Sequence, residues 1–183
     1  RQFKEIKNII IVYNKKDLKR LKLLKLKNIQ LIAGGKSRQQ STYNALKYLK
    51  NKKNISKVLI HDVARPNFSY KLFNSIIKNM KNSRAVIPKI EIQDAVKQII
   101  VSSKEEYILG KKRDDLFLTQ TPQAFNLKEV YQLHKINFLK YRDDDISLYM
   151  NLNKVRFIDG EKDNFKITDK SDLEKLKKIY KSK

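Results

Sequence analysis

Cysteine and tryptophan are absent from the 183 residues, which also hold only four glycines, three prolines and two histidines. Without cysteine there are no disulfides, thiolate nucleophiles or sulfur-ligated zinc sites. His61 and His134 stand too far apart in the chain to suggest a histidine metal site, so any metal is expected on oxygen ligands. With so little glycine and proline there is no Gly/Ser-rich or Pro-rich linker, and no internal repeat is visible, so the chain reads as one domain over 1–183. No apolar run approaches the ~20 residues of a membrane span, and the opening RQFKEIKNIIIVY lacks the pattern of a signal peptide. The expectation is a cytoplasmic protein without a membrane partner.

Acidic residues are also scarce. Against 42 Lys+Arg there are 19 Asp+Glu, a formal charge of +23. Nucleic-acid binding is the first reading of such a charge, because clustered cations displace counterions from phosphate backbones. Its pattern favours another explanation. Arginine occupies only positions 1, 20, 38, 65, 84, 113, 142 and 156, and the remaining 34 cations are lysines spread along the chain. Lysine lacks the bidentate fork that reads phosphates and bases, and no aromatic RNA-binding signature or basic zipper accompanies it. The charge is read as a solvated lysine-rich surface, with no nucleic-acid partner expected. LKRLKLLKLKNI (18–29) resembles an amphipathic surface helix, but its apolar residues are expected to pack one face onto the core.

What is present alternates between strand and helix signals. The apolar runs at 8–13, 29–35, 57–62 and 84–90 read as buried strands. Thr42, Ala45, Leu46 and Leu49 have helical spacing, as do Phe73, Ile76, Ile77 and Met80 behind a cap at Ser69 or Asn67. Such alternation predicts an α/β fold, a Rossmann-like, mostly parallel sheet covered by helices on both faces. Residues 91–118 break the rhythm with short extended pieces and no clear helix, and are read as an antiparallel arm. A helix capped by Asn126, a shorter one over Ile146, Tyr149 and Met150, a strand at 154–158 and a terminal helix with a Ser171/Glu174 capping box complete the order.

Ligands in such sheets bind beyond the carboxyl ends of the strands. Gly34-Gly35-Lys36-Ser37-Arg38 joins a strand to a helix, where backbone N–H groups can receive an anion, although a plain glycine turn has the same residues. His61-Asp62-Val63-Ala64-Arg65-Pro66 puts a carboxylate that could hold Mg²⁺ beside a guanidinium that could pair with anions or brace the loop. His61 itself reads as a satisfied loop or core histidine. Thr119-Gln120-Thr121-Pro122-Gln123 offers hydroxyls and amides for a hydroxylated substrate. Arg142-Asp143-Asp144-Asp145 concentrates charge that a cation or a helix start can stabilise. Asn164-Phe165-Lys166-Ile167-Thr168 sets one lysine in an apolar stretch.

In order, GGxxR, HDxARP, DxxK (Asp94 to Lys97), QTPQ, the Asp-Asp helix start and NxKIT resemble the 2-C-methyl-D-erythritol 4-phosphate cytidylyltransferases over nearly the whole chain. HDxARP (61–66) and QTPQxF (120–125) are the most specific pieces. The resemblance implies transfer of a cytidylyl group from CTP to methylerythritol phosphate with release of pyrophosphate, dependent on Mg²⁺ or another divalent cation. It implies that Gly34, Gly35, Ser41, Asp62, Val63 and Arg65 bind the nucleotide and that Asp62 also holds the metal. It further implies that Asp94, Ala95, Arg113, Thr121, Asp144 and Lys166 surround the sugar phosphate, with Arg113 and Lys166 catalytic. Arg113 would reach across a homodimer on the 91–118 arm.

The chain also departs from that pattern. Ala95 and Asp143 stand where the family usually has threonine, and Lys36 stands where an acid is common. These departures keep a ribitol 5-phosphate cytidylyltransferase as the alternative on the acceptor side, with a non-catalytic basic nucleic-acid-binding protein as the rival of another class. Nothing matches the family's opening strand and glycine-rich loop with its Arg and Lys. The sequence therefore reads as N-terminally incomplete, and these residues alone are expected to turn over CTP poorly.

Overall fold

The computed structural model describes residues 3, 5–102, 105–138, 143–150 and 152–181. Each expected apolar run forms a strand: Ile9–Tyr13 (β1), Ile29–Ala33 (β2), Lys57–Ile60 (β3) and Ala85–Glu91 (β4). Later strands are Val96–Ser102 (β5), Glu105–Lys111 (β6), Phe117–Thr119 (β7), Gln123–Asn126 (β8) and Val155–Asp159 (β9). Helices occupy Leu18–Leu23 (α1), Arg38–Leu49 (α2), Tyr70–Asn79 (α3), Leu127–Ile136 (α4) and Lys170–Lys181 (α5).

Side-chain caps set where three of these helices start. Ser37 accepts from the Gln40 N–H at α2, Ser69 from the Leu72 N–H at α3, and Asn126 from the Glu129 N–H at α4. Asn67, the other candidate cap for α3, instead donates to the Asp163 carbonyl. The Ser171/Glu174 capping box does not form. Asp169 Oδ1 takes the Asp172 N–H at 3.0 Å, so the helix begins earlier and Ser171 lies inside it. The element over Ile146–Tyr149 is a 3-10 turn, tighter than the α-helix expected.

β4 is the centre of the main sheet, pairing with β7, β8 and β9. Its alternation sorts the core: Ala85 and Ile87 face Leu46, Leu49, Leu127, Val130 and Tyr131 of α2 and α4, whereas Val86 faces Leu72, Ile76 and Met80 of α3. Helices therefore cover both faces in a Rossmann-like α/β arrangement. β1 pairs parallel with β2, and β4 parallel with β9. β8 lies between β3 and β4 and runs antiparallel to both, and β7 runs antiparallel to β4, so β3, β4 and β9 share one direction and β7 and β8 are reversed. No helix of the kind that usually carries a parallel crossover lies between β4 and β8.

The excursion between β4 and β7 is the expected arm region. β5 and β6 pair only with each other, from Val96 opposite Lys111 to Ser102 opposite Glu105, and form a hairpin apart from the main sheet. The stretch at 18–29 departs from expectation. Only its first six residues are helical, none is buried, and Leu23, Leu24 and Leu26 are exposed rather than packed on the core. Among the described residues no helix is long and apolar enough to cross a membrane.

Candidate functional site

The loops after β3 and β9 and the segment before β8 meet at one edge of the main sheet, and the start of α2, which follows β2, joins them through Arg38. β8 contributes its beginning there because it is reversed, with Gln123 opposite Ile60 at the end of β3.

After β2, Gly34 donates its N–H to the Tyr13 carbonyl at 2.8 Å. A Cβ on Gly34 would lie 2.9 Å from Ser41 Oγ and 3.2 Å from that carbonyl oxygen, so close approach explains the glycine. Gly35 N–H donates to Ser41 Oγ and Lys36 N–H to Gln40 Oε1, folding the loop onto the first turn of α2.

After β3, His61 spends both ring nitrogens on the backbone and its neighbours. Nε2–H donates to the Arg65 carbonyl at 2.8 Å, and Nδ1 accepts from the Thr121 hydroxyl at 3.0 Å, which itself accepts the Asp62 N–H. Burial pushes the imidazole below its ordinary range, more than its bond to Arg65 and the nearby Asp62 raise it. His61 is thus a brace of the loop, as the sequence suggested.

Asp62 Oδ2 lies 3.2 Å from Lys166 Nζ and 3.9 Å from Arg65 Nε. Lys166 comes from the loop after β9. That loop is fixed by Arg65 Nη1 donating to the Asn164 carbonyl and by Ile167 N–H donating to the Ala64 carbonyl. HDxARP and NxKIT, a hundred residues apart in sequence, therefore form one unit. Among the described residues no group of three or more His, Asp or Glu side chains is arranged to hold a metal ion. Asp62 is a single-carboxylate donor, the set that suits Mg²⁺ when phosphate oxygens and water complete its shell.

QTPQ serves differently from the substrate-recognition role its hydroxyls and amides suggested. Gln120, Thr121 and Gln123 are buried. Gln120 bonds Glu161 and Asn164 in both directions, and Asn164 Nδ2 also donates to the Thr121 carbonyl at 2.9 Å. Buried polar groups must find partners, and here the partners are internal. The Thr121–Pro122 peptide is cis. Asn164, fully buried, was not singled out from the sequence, although it is the first residue of NxKIT.

Asp144 is likewise engaged. It accepts from Thr119 Oγ1, Gln123 Nε2 and both the amide and hydroxyl of Ser147, which anchors the 3-10 turn. Val63 is exposed beside Asp62. Asp94, Ala95 and Arg113 are exposed at the root of the hairpin, where Arg113 Nη1 donates to the Gln93 carbonyl at 2.7 Å. A cleft of about 420 Å³ lined by Lys89, Glu91, Gln93 and Arg113 lies there. Among the described residues no contact joins Arg113 or Asp94 to the Asp62–Lys166 pair. Arg142 lies outside the described residues. A cation absent from the sequence-derived site, Arg38, does belong to this edge: it bonds Asp145 and feels the charges of Asp62 and Asp144. Its signal was the last position of GGxxR.

The family model described as IspD: 2-C-methyl-D-erythritol 4-phosphate cytidylyltransferase matches residues 1–182. A relative in Pelagibacter ubique, the bifunctional enzyme IspD/IspF, is 42% identical over 172 residues, which is 93% of this chain and 45% of that protein. The 2-C-methyl-D-erythritol 4-phosphate cytidylyltransferase of Thermosipho africanus is 35% identical over 177 residues, 90% of this chain and 75% of the relative. The crystal structure of 4-diphosphocytidyl-2C-methyl-D-erythritol synthase from Anaerococcus prevotii superposes with a TM-score of 0.83 at 33% identity, covering 97% of this chain and 83% of that one. The chain spans less than half the length of the bifunctional relatives it matches.

Proposed function

Because the chain belongs to the 2-C-methyl-D-erythritol 4-phosphate cytidylyltransferase family, a family of nucleotidyltransferases, we propose that it acts on CTP and methylerythritol phosphate. A phosphate oxygen of the acceptor attacks the α-phosphorus of CTP. The new P–O bond replaces the bond to the bridging oxygen, which leaves with pyrophosphate. The acceptor phosphate is already an adequate nucleophile, so the protein's task is positioning and neutralising charge. The absence of cysteine and the structural use of His61 are consistent with that chemistry.

The observation that carries the reading is the Asp62–Lys166 pair, brought to 3.2 Å by two loops distant in sequence. In this reading Lys166 orients the acceptor phosphate, and the loop of Gly34, Gly35 and Ser41 borders the base. Arg65 and the backbone at Val63 line the nucleotide. Asp62 holds Mg²⁺, which when bound supplies positive charge to the nucleotide phosphates. Asp94 and Ala95 belong to the acceptor side, and Thr121 and Asp144, whose side chains bond within the protein, brace it from behind. Arg113 would serve the acceptor of a second copy, the hairpin being the arm of a homodimer.

The test is pyrophosphate release by the protein from CTP, with methylerythritol 4-phosphate and ribitol 5-phosphate supplied separately and in competition. Slow release with the former, abolished by EDTA and restored by Mg²⁺, is expected. Preference for ribitol 5-phosphate reassigns the acceptor, and the absence of both release and a CTP-dependent thermal shift overturns the reading.

A further inference from the structure

The buried ionic cluster beneath the site has no part in the proposed chemistry. Asp145 has no solvent-exposed side-chain surface, and its carboxylate takes Arg38 on one oxygen and His134 Nε2–H at 2.9 Å on the other. His134 is 1% exposed, and its Nδ1 is buried without a hydrogen-bond partner among the described residues, which places the ring proton on Nε2, toward Asp145.

The three residues come from three segments. Arg38 is the first residue of α2, directly after the loop whose amides at Gly35 and Lys36 are tied to Ser41 and Gln40 in that same first turn. Asp145 follows Asp144, which bonds Thr119, Gln123 and Ser147. His134 belongs to α4, whose end receives a second tie from α2, Gln39 Nε2 to the Asn137 carbonyl at 2.7 Å.

A buried ion pair is a poor way to gain stability, since desolvation consumes most of the attraction and apolar side chains of similar volume often serve as well. Its best-attested use is to fix one arrangement among several that packing alone would allow. Here the arrangement fixed is that of the Gly34–Ser41 loop relative to the Asp143–Ser147 segment, the base side and the acceptor side of the proposed site. We propose that Asp145, backed by His134, is a positioning residue that clamps these two segments together through Arg38. Its predicted effect on catalysis rests on the function proposed above, while its effect on the loop does not.

The experiment compares Asp145→Asn, Arg38→Met and the double variant in the whole protein. Three quantities are read: hydrogen exchange at the amides of 35–41, the calorimetric affinity for CTP, and the KM and kcat values. Each single variant is expected to speed exchange at 35–41 relative to α3 on the opposite face of the sheet. Each weakens CTP binding by about tenfold, the lower end of what losing a partner that orients a metal ligand costs. KM should carry most of the change and kcat little, and the double variant should be no worse than Arg38→Met alone. Arg38→Lys, which keeps the charge against Asp145, should recover part of the affinity.

Unchanged loop exchange in both single variants overturns the proposal. So does a further loss on adding Asp145→Asn to Arg38→Met, which would show Asp145 acting independently of Arg38. If Asp145→Asn does not fold, Arg38→Met and Arg38→Lys decide through the same loop exchange. If the wild type binds no CTP, the proposed function fails, and loop exchange alone decides the clamp.

Discussion

Lys166 and Asp145 show how far one residue's role depends on what surrounds it. Lys166 is about half exposed, its main chain sits in a loop held by Asn164 and Ile167, and its ammonium reaches Asp62. Removing the side chain leaves the loop bonds in place. Lys166→Ala should therefore melt within a degree or two of the wild type while losing about 100-fold in turnover, as loss of one charge-stabilising donor typically does. Steady-state kinetics beside a thermal melt reads both, and near-normal turnover would remove Lys166 from the site. Asp145 is the opposite case. Burial alone would raise its carboxyl, but the His134 bond and the Arg38 charge outweigh it and hold the group below its ordinary value of 3.8. A depressed folded value means that the unfolded chain takes up the proton first. The stabilisation is therefore present above the ordinary carboxylate range and is lost as pH falls below about 3.8 through the folded value. Urea unfolding at several pH values between 6 and 3 should show a steeper loss for the wild type than for Asp145→Asn. At pH 6 the variant should already be weaker by about 2 kcal/mol, because the amide keeps one acceptor oxygen and turns an N–H donor toward the other of Arg38 and His134.

At the scale of elements, the β5–β6 hairpin is the part least supported by its own chain. Ile99 and Ile108 face each other across the strands and Val101 lies on the same face, at 63%, 70% and 74% exposure. A two-stranded ribbon is marginal alone in water, and such an apolar face calls for a partner surface. A second copy fits the proposed homodimer. Sedimentation velocity should find a dimer, and Ile99→Lys combined with Ile108→Lys should convert it to monomer with little change in the melting of the main core. A monomeric wild type would rule the arm out. The elements also show where sequence patterning failed. The missing crossover helix between 91 and 118 was visible as a break in rhythm, yet the reversal of β8 was not. QTPQ resembled an open turn because polarity was legible and burial was not. Ser171 had the spacing of a cap, but Asp169 offered a carboxylate two residues earlier, which accepts the Asp172 amide and the Ser171 hydroxyl and starts the helix there. The leucines at 23, 24 and 26 had the composition of a packed face in a helix that ends too soon to present one.

For the molecule as a whole, the +23 charge is mostly lysine on the surface, and its local use is confined to a few cations. Arg65 and Lys166 converge on Asp62, and Arg38 is held by Asp145 nearby. The sequence by itself determined the order of strands and helices, the cap at Asn126, the choice of Ser69 or Asn67 ahead of α3, the family, and the motifs that meet at the sheet edge. These depend on local spacing and on residue types that carry their chemistry wherever they fall. Only the tertiary structure decided that β8 runs backwards, that Gln120, Thr121 and Asn164 bond one another, and that Arg38 is held from beneath by Asp145 and His134. Thr121 and Asn164 are 43 positions apart and Arg38 and Asp145 107, and the nearer pair of His134 and Asp145 depends on which polar group is buried and must find a partner. No local pattern encodes that choice, because the same side chain is a free ligand when exposed and a structural brace when enclosed.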